Sequence, residues 1–217
     1  MNITKNKIYY AKAKYGYSEI KAVNSVLKYQ RLNLMNSHNV KLFEKKIAKL
    51  FNKKYGLMVN SCSSANLLAL SALNLKKGSE IITPSLTFST TVSPIIQLGL
   101  KPVLVDINLD TLLIDETKIE KMITKKTKAM IIPNLIGNIP NLKSLKRLCK
   151  KYKLYFIEDS ADTIKSFYDG KSTGDYSDIS TTSFYASHVI TCAGFGGMLC
   201  TNNKDFYKKA IIQRGWG

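Results

Sequence analysis

Seven short runs rich in β-branched and apolar residues recur along the chain, at 56–60, 80–84, 102–106, 128–133, 154–159, 179–184 and 197–201. Most are continuous rather than alternating, as at Ala129, Met130, Ile131 and Ile132. A strand buried on one face alternates; one buried on both faces reads as an unbroken apolar run. Between the runs lie helical patterns at 64–75, 89–98, 116–123 and 142–153, with a last one at 204–213. Pro94 should start or kink the second of these. Strands that alternate with helices require long crossovers and give a mostly parallel sheet covered on both sides. The expected class is therefore α/β, a three-layer αβα sandwich around a seven-stranded sheet. Two further helices, at 17–29 and 39–51, precede the first strand; the second carries Val40, Phe43, Ile47, Leu50 and Phe51 at helical spacing.

At 217 residues the chain suits one sizeable domain. No apolar run approaches the roughly 20 residues that span a bilayer, and residues 1–7 carry no apolar core after their charges, so no membrane partner and a cytoplasmic setting are expected. The net charge of +18 raises the question of nucleic acid. The basic residues are all lysine except Arg31, Arg147 and Arg214, whereas base and phosphate reading leans on arginine. Lysines also fall on helix faces. In 142–153, Lys143, Lys146, Arg147, Lys150 and Lys151 lie opposite Leu142, Leu145, Leu148, Cys149 and Tyr152. The charge reads as solvated helix surface, and no nucleic-acid partner is expected. Cys62, Cys149, Cys192 and Cys200 form no C-x-x-C pair; they read as buried free thiols, with no metal site and no redox motif.

Three segments could carry chemistry. Asn60 to Asn66 joins the first strand to a helix and contains Ser61, Ser63 and Ser64. Ser63 and Ser64 sit where N-cap residues belong, and free amides at the positive helix end suit a phosphate. Plain capping explains the serines as well. Glu158 and Asp159 close the fifth run and Asp162 follows it, at the strand end where open parallel sheets bind ligands. A buried carboxylate there needs a partner such as a protonated ring nitrogen; a helix cap is the alternative. His188 stands between the sixth run and the glycine-rich turn at Gly194, Gly196 and Gly197. A lone histidine is more often structural than catalytic.

Taken together, in this order and spacing, these segments resemble the DegT-like sugar aminotransferase family of fold-type-I pyridoxal-phosphate enzymes. The resemblance runs from Ser18-Glu19-Ile20 through Phe43-Glu44, Val59 to Leu70 and Ile82 to Phe88. It continues in Pro102 to Ile107, Leu135 to Asn138, Phe156 to Asp162 and Ser183 to Gly197. It implies that Ser63 and Ser64 form the phosphate turn and that Ser183 adds a phosphate-binding hydroxyl. It implies that Phe88 stacks on the pyridine ring and that Asp159 pairs with the pyridinium nitrogen. Asp162 falls where most members carry glutamine near the ring hydroxyl. His188 falls where aminotransferases keep the lysine that bonds to the cofactor.

A histidine at that position selects the nucleotide-sugar 3-dehydratase subgroup, which makes 3-deoxy sugars. The implied activity is a dehydratase acting on a nucleotide-linked 4-keto-6-deoxy sugar in deoxysugar and lipopolysaccharide biosynthesis. The implied cofactor is pyridoxal or pyridoxamine 5'-phosphate, and the implied assembly a homodimer, because the family's active site lies at a dimer interface. An ordinary sugar aminotransferase and a non-catalytic family member are the alternatives. Cys62 in place of the usual glycine, Phe195 near a usual glutamate, and a glycine turn one residue longer depart from the pattern. Residues 1–217 correspond to the family's large domain. The small C-terminal domain is expected to be absent, and an iron–sulfur cluster, where relatives use one, is held by cysteines beyond the position of Gly217.

Overall fold

The structure, a computed structural model, describes residues 9, 11–32 and 34–215. The N-terminal stretch 1–7, on which the expectation about a leader rests, and the closing Trp216 and Gly217 lie outside the described residues. Two helices come first, α1 Tyr17–Tyr29 and α2 His38–Leu50. Strand β1 Tyr55–Val59 leads into α3 Cys62–Ala72, β2 Glu80–Pro84 into α4 Ser89–Gln97, and β3 Lys101–Val105 into the short α5 Glu116–Ile119. Next come β4 Thr127–Pro133, α6 Leu142–Tyr152 and β5 Tyr155–Ser160. A two-stranded ribbon, β6 Phe167–Tyr168 with β7 Lys171–Ser172, precedes β8 Ile179–Ser183, β9 Gly197–Thr201 and α7 Lys204–Arg214.

The seven long strands form one sheet in the order β1-β9-β8-β5-β4-β2-β3. Pairs β2–β3, β2–β4, β4–β5 and β5–β8 are parallel, while β9 runs antiparallel to both of its neighbours. This is the mostly parallel α/β sheet expected from the run pattern. Alternate side chains of each central strand enter opposite layers. Ile81, Ile131 and Ile157 join Leu70, Ile95 and Ala210 on the side of α3, α4 and α7. Ile82, Ile132 and Phe156 join Leu142, Leu145 and Leu148 on the side of α6. A third cluster of Ile47, Phe51, Phe184 and Met198 fastens α2. The basic face of α6 is exposed, as its spacing predicts, and among the described residues no helix is long and apolar enough to cross a membrane.

Two local expectations need correction and a third is narrowed. The first crossover helix starts at Cys62, and its N-cap is Ser61 rather than Ser63 or Ser64: extended Ser61 (φ −162°, ψ 160°) turns its Oγ to the amide of Ser64. Segment 116–123 is one α turn followed by a 3-10 turn at Glu120–Met122. Pro94 lies inside α4 and does not start it. Having no N–H, it leaves the carbonyl of Thr90 without a helical donor, and the site below uses that carbonyl. Of the four cysteines, Cys62, Cys149 and Cys200 are buried and Cys192 is half-buried.

Candidate functional site

The parallel strands β2, β4, β5 and β8 deliver their carboxyl ends to one edge of the sheet, where a doubly wound fold leaves room for a ligand. Helix α3 begins at the same edge, directly after β1. Its N-cap Ser61 Oγ accepts from Ser64 N at 3.1 Å, and the amide of Ala65 bonds to Ser61 O at 3.0 Å. The amides of Cys62 and Ser63 make no hydrogen bond to any described residue. They stand at the positive end of the helix together with the hydroxyls of Ser63 and Ser64. Ser63 Oγ also reaches Thr90 Oγ1 at 2.9 Å, which ties this turn to the start of α4. Gly197 of β9 supports it from below: a Cβ there would lie 2.2 Å from Ser61 C and 2.5 Å from Cys62 N.

Asp159, near the end of β5, is 5% exposed. Its Oδ2 accepts from Asn66 Nδ2 at 2.8 Å and Thr91 Oγ1 at 2.9 Å. Its Oδ1 accepts from Cys62 Sγ at 3.5 Å and Ala161 N at 3.3 Å. Burial raises its pKa above the ordinary carboxylate range, against the pull of these hydrogen bonds. Burial, and then the charge of Asp159, push the Cys62 thiol well above its usual value, so it stays a neutral donor. Asn66 is held in turn: it accepts from Thr181 Oγ1 at 2.6 Å and donates to the Thr90 carbonyl that Pro94 leaves free, at 3.4 Å. The donors around Asp159 are an amide, a hydroxyl, a thiol and a backbone N–H, with no cation beside it among the described residues.

The remaining sequence candidates divide. Asp162 and His188 meet: His188 Nε2 lies 3.6 Å from Asp162 Oδ1, and Asp162 Oδ2 accepts from Ile136 N at 3.0 Å. The charge of Asp162 adds, after burial and Asp159, to the upward push on the Cys62 thiol. Phe88 caps α4 through its backbone position and leaves its ring 69% exposed at the rim. Ser183 is buried, and its Oγ is engaged by the amide of Tyr185 at 3.2 Å. Sequence reasoning assigned no role to Asn66, Thr91, Thr90 or Thr181. Their signal was a polar side chain inside an otherwise apolar helix or strand face, where it must find a buried partner.

The chemistry of these donors fits a ligand with an anionic tail and a protonated heteroaromatic ring. The free amides and hydroxyls of the α3 turn suit the tail, and the buried carboxylate lacks only a cation, which a ring N–H would supply. A family model, DegT/DnrJ/EryC1/StrS aminotransferase family, matches residues 14–217. The chain is 42% identical over 183 residues to the lipopolysaccharide biosynthesis protein RfbH of Salmonella typhimurium, covering 81% of this chain and 42% of that protein. It is 36% identical over 178 residues to GDP-perosamine synthase of Escherichia coli O157:H7, covering 82% of this chain and 49% of the synthase. Among solved structures, the E. coli GDP-4-keto-6-deoxy-D-mannose-3-dehydratase with bound hydrated PLP superposes with a TM-score of 0.86 at 33% identity, over 93% of this chain and 52% of that one. The chain thus spans about half the length of the relatives it matches.

Proposed function

Since the chain belongs to the DegT/DnrJ/EryC1/StrS aminotransferase family, we propose that it is the cofactor-binding large domain, residues 1–217, of a nucleotide-sugar 3-dehydratase. The reaction is loss of the C3 hydroxyl from a nucleotide-linked 4-keto-6-deoxy sugar. The cofactor is pyridoxal or pyridoxamine 5'-phosphate, whose protonated ring, when bound, acts as an electron sink. In this reading Asp159 holds the ring N–H, and the neutral donors on both its oxygens keep the carboxylate oriented. The first turn of α3, with Ser63 and Ser64, takes the phosphate, and Ser183 stands behind it. Phe88 covers the ring face from the rim. His188 moves one proton and returns it to the departing hydroxyl; an imidazole titrates near neutrality and serves in both directions.

The single observation that carries the dehydratase assignment is His188 itself. It stands beside Asp162 at the strand-edge site, at the position the aminotransferase pattern gives to lysine. The similarity to GDP-perosamine synthase favours the second reading, transamination. Lys165 and Lys171, the two lysines that most closely precede His188 along the chain, belong to the segment around the β6–β7 ribbon. The test loads the chain with pyridoxal phosphate, treats it with borohydride and maps the peptides. The expected result is cofactor that dialyses away with no lysine labelled. In the complete enzyme that carries this domain, incubation with pyridoxamine phosphate and a GDP-linked 4-keto-6-deoxy sugar should give a product lacking one oxygen. A labelled lysine, or a product that has gained an amino group, overturns the assignment.

A further inference from the structure

The turn at Leu135–Gly137 contains a strained residue. Ile136 has φ 55° and ψ 28°, a left-handed conformation that a β-branched side chain disfavours. Its side chain is 72% exposed, so core packing does not hold it there. What the conformation does is aim the Ile136 amide at Asp162 Oδ2, 3.0 Å away. Strain of this kind persists where surrounding contacts over-determine it, often at functional sites. With Oδ2 fixed, the other oxygen, Oδ1, faces His188 Nε2 at 3.6 Å. On the far side of the imidazole, Nδ1 is covered by protein and has no hydrogen-bond partner among the described residues. The ring is steadied by an edge contact with Tyr185, centroid to centroid 5.9 Å.

A neutral imidazole carries its proton on one nitrogen only. A proton on Nδ1 would be a buried N–H without an acceptor, and its absence from Nε2 would leave two lone-pair atoms facing each other. A proton on Nε2 points at a carboxylate oxygen and leaves on Nδ1 an unpaired acceptor, the cheaper of the two orphans. We propose that Asp162 is a positioning residue that locks His188 in the Nε2–H tautomer, so that Nδ1 is its basic nitrogen. The tautomer does not depend on the reaction.

The chain has only two histidines, His38 and His188, so two-bond proton–nitrogen correlation spectra of the labelled protein, recorded without cofactor above the ordinary imidazole titration range, report both tautomers directly. His188→Gln assigns the pair. The expected pattern for His188 is Nε2 protonated. In Asp162→Asn the Ile136 amide still requires an acceptor, so the new carbonyl stays on it and the NH2 group turns to Nε2. His188 should then convert to the Nδ1–H tautomer while His38 is unchanged. A swap of this kind by an isosteric carboxamide is known to disable a histidine base through the wrong tautomer. Asp162→Ala, which serves if the first variant fails to fold, should give a mixture. An Nδ1–H pattern in the unaltered chain, or an unchanged pattern in either variant, overturns the proposal. A chain that passes yet yields an amino sugar refutes the dehydratase reading and leaves the tautomer lock standing.

Discussion

Replacing Gly197 by alanine tests whether the α3 turn depends on the backbone contact beneath it. The added Cβ would sit 2.2 Å from Ser61 C, 2.3 Å from Ser61 O and 2.5 Å from Cys62 N, where ordinary contact begins at 3.4 Å. Backbone must therefore separate by about 1 Å, since no flexible side-chain end is available to yield. Gly197 opens β9 between two partners, paired with Val59 on one side and Ser183 on the other, so β9 cannot retreat alone. Overpacking costs about 1–3 kcal/mol where side chains can adjust; with backbone on both sides the upper end, about 3 kcal/mol, is expected. For a domain of this size that lowers Tm by roughly 6–12 °C. The neighbouring Gly196→Ala is the control, because its Cβ would meet Met58 Cε, Cys192 Cβ and Phe184 Cβ, all side-chain atoms, at 3.1 Å. Urea unfolding and a titration with pyridoxal phosphate followed by absorbance measure the two consequences. Gly197→Ala should be the less stable of the pair and bind the cofactor more weakly. If it unfolds within about 1 kcal/mol of the unaltered chain and binds equally well, the close approach is not what shapes the turn.

Three further outcomes follow from single contacts. Burial raises the Asp159 carboxyl in the folded chain, so the folded state binds a proton more readily than the unfolded one. Its contribution to stability is present below the unfolded pKa of 3.8 and is lost as pH rises through the higher folded value. Asp159→Asn should remove that slope from urea midpoints measured across acid pH, and should weaken cofactor binding by roughly 10- to 100-fold, the worth of one charged hydrogen bond; an unchanged slope refutes the sign. Asn66→Ala strips Asp159 Oδ2 of one donor and leaves the Thr181 hydroxyl only its longer bond to Glu158 O at 3.3 Å. It should cost about 2–3 kcal/mol in unfolding free energy, and a loss below about 0.5 kcal/mol would show the cluster to be loose. Lys153, exposed and left-handed at the C-cap of α6 (φ 53°, ψ 45°), should gain from glycine. Lys153→Gly is expected to stabilise by about 1 kcal/mol, and a lower Tm would count against the strain argument.

The sheet was legible because its strands are buried on both faces: an unbroken apolar run leaves few other placements, and each of the seven falls within one residue of its observed ends. The β6–β7 ribbon was not, since two-residue strands have no period to read. The start of α3 was misread because Ser61, Ser63 and Ser64 are chemically interchangeable as caps; only the extended backbone at Ser61 decides among them. In the site, the acidic strand end and the histidine stood out by position. The donors around Asp159 did not, because their partnership is assembled from three elements. Asn66 of α3, Thr91 of α4 and Thr181 of β8 converge only in the folded sheet. The link from Pro94 to the free Thr90 carbonyl to Asn66 likewise joins α4 to α3 across 24 residues of chain.

The pair Glu158–Asp159 shows what three dimensions add to an acidic motif. Burial patterning alone offers two adjacent carboxylates, of which the family resemblance singles out Asp159. On a strand they must point to opposite faces, and the two faces treat them differently. Glu158 is fully buried and accepts from Asn134 Nδ2 at 3.0 Å and from the hydroxyls of Ser160 and Ser180 at 2.8 Å. On its side lies Lys53, whose ammonium is lowered by burial and supported first by the charge of Glu158. Lys53 Nζ donates to Ser177 O at 2.5 Å, and the Ser177 hydroxyl reaches Glu158 at 3.3 Å. That carboxylate is therefore engaged by buried donors, with Lys53 reached through Ser177, and serves the fold. Asp159, 5% exposed near the end of β5, has neutral donors only among the described residues. Its missing counter-charge is what a protonated ligand would bring, which is why the proposed reading gives the ligand to Asp159 and not to Glu158.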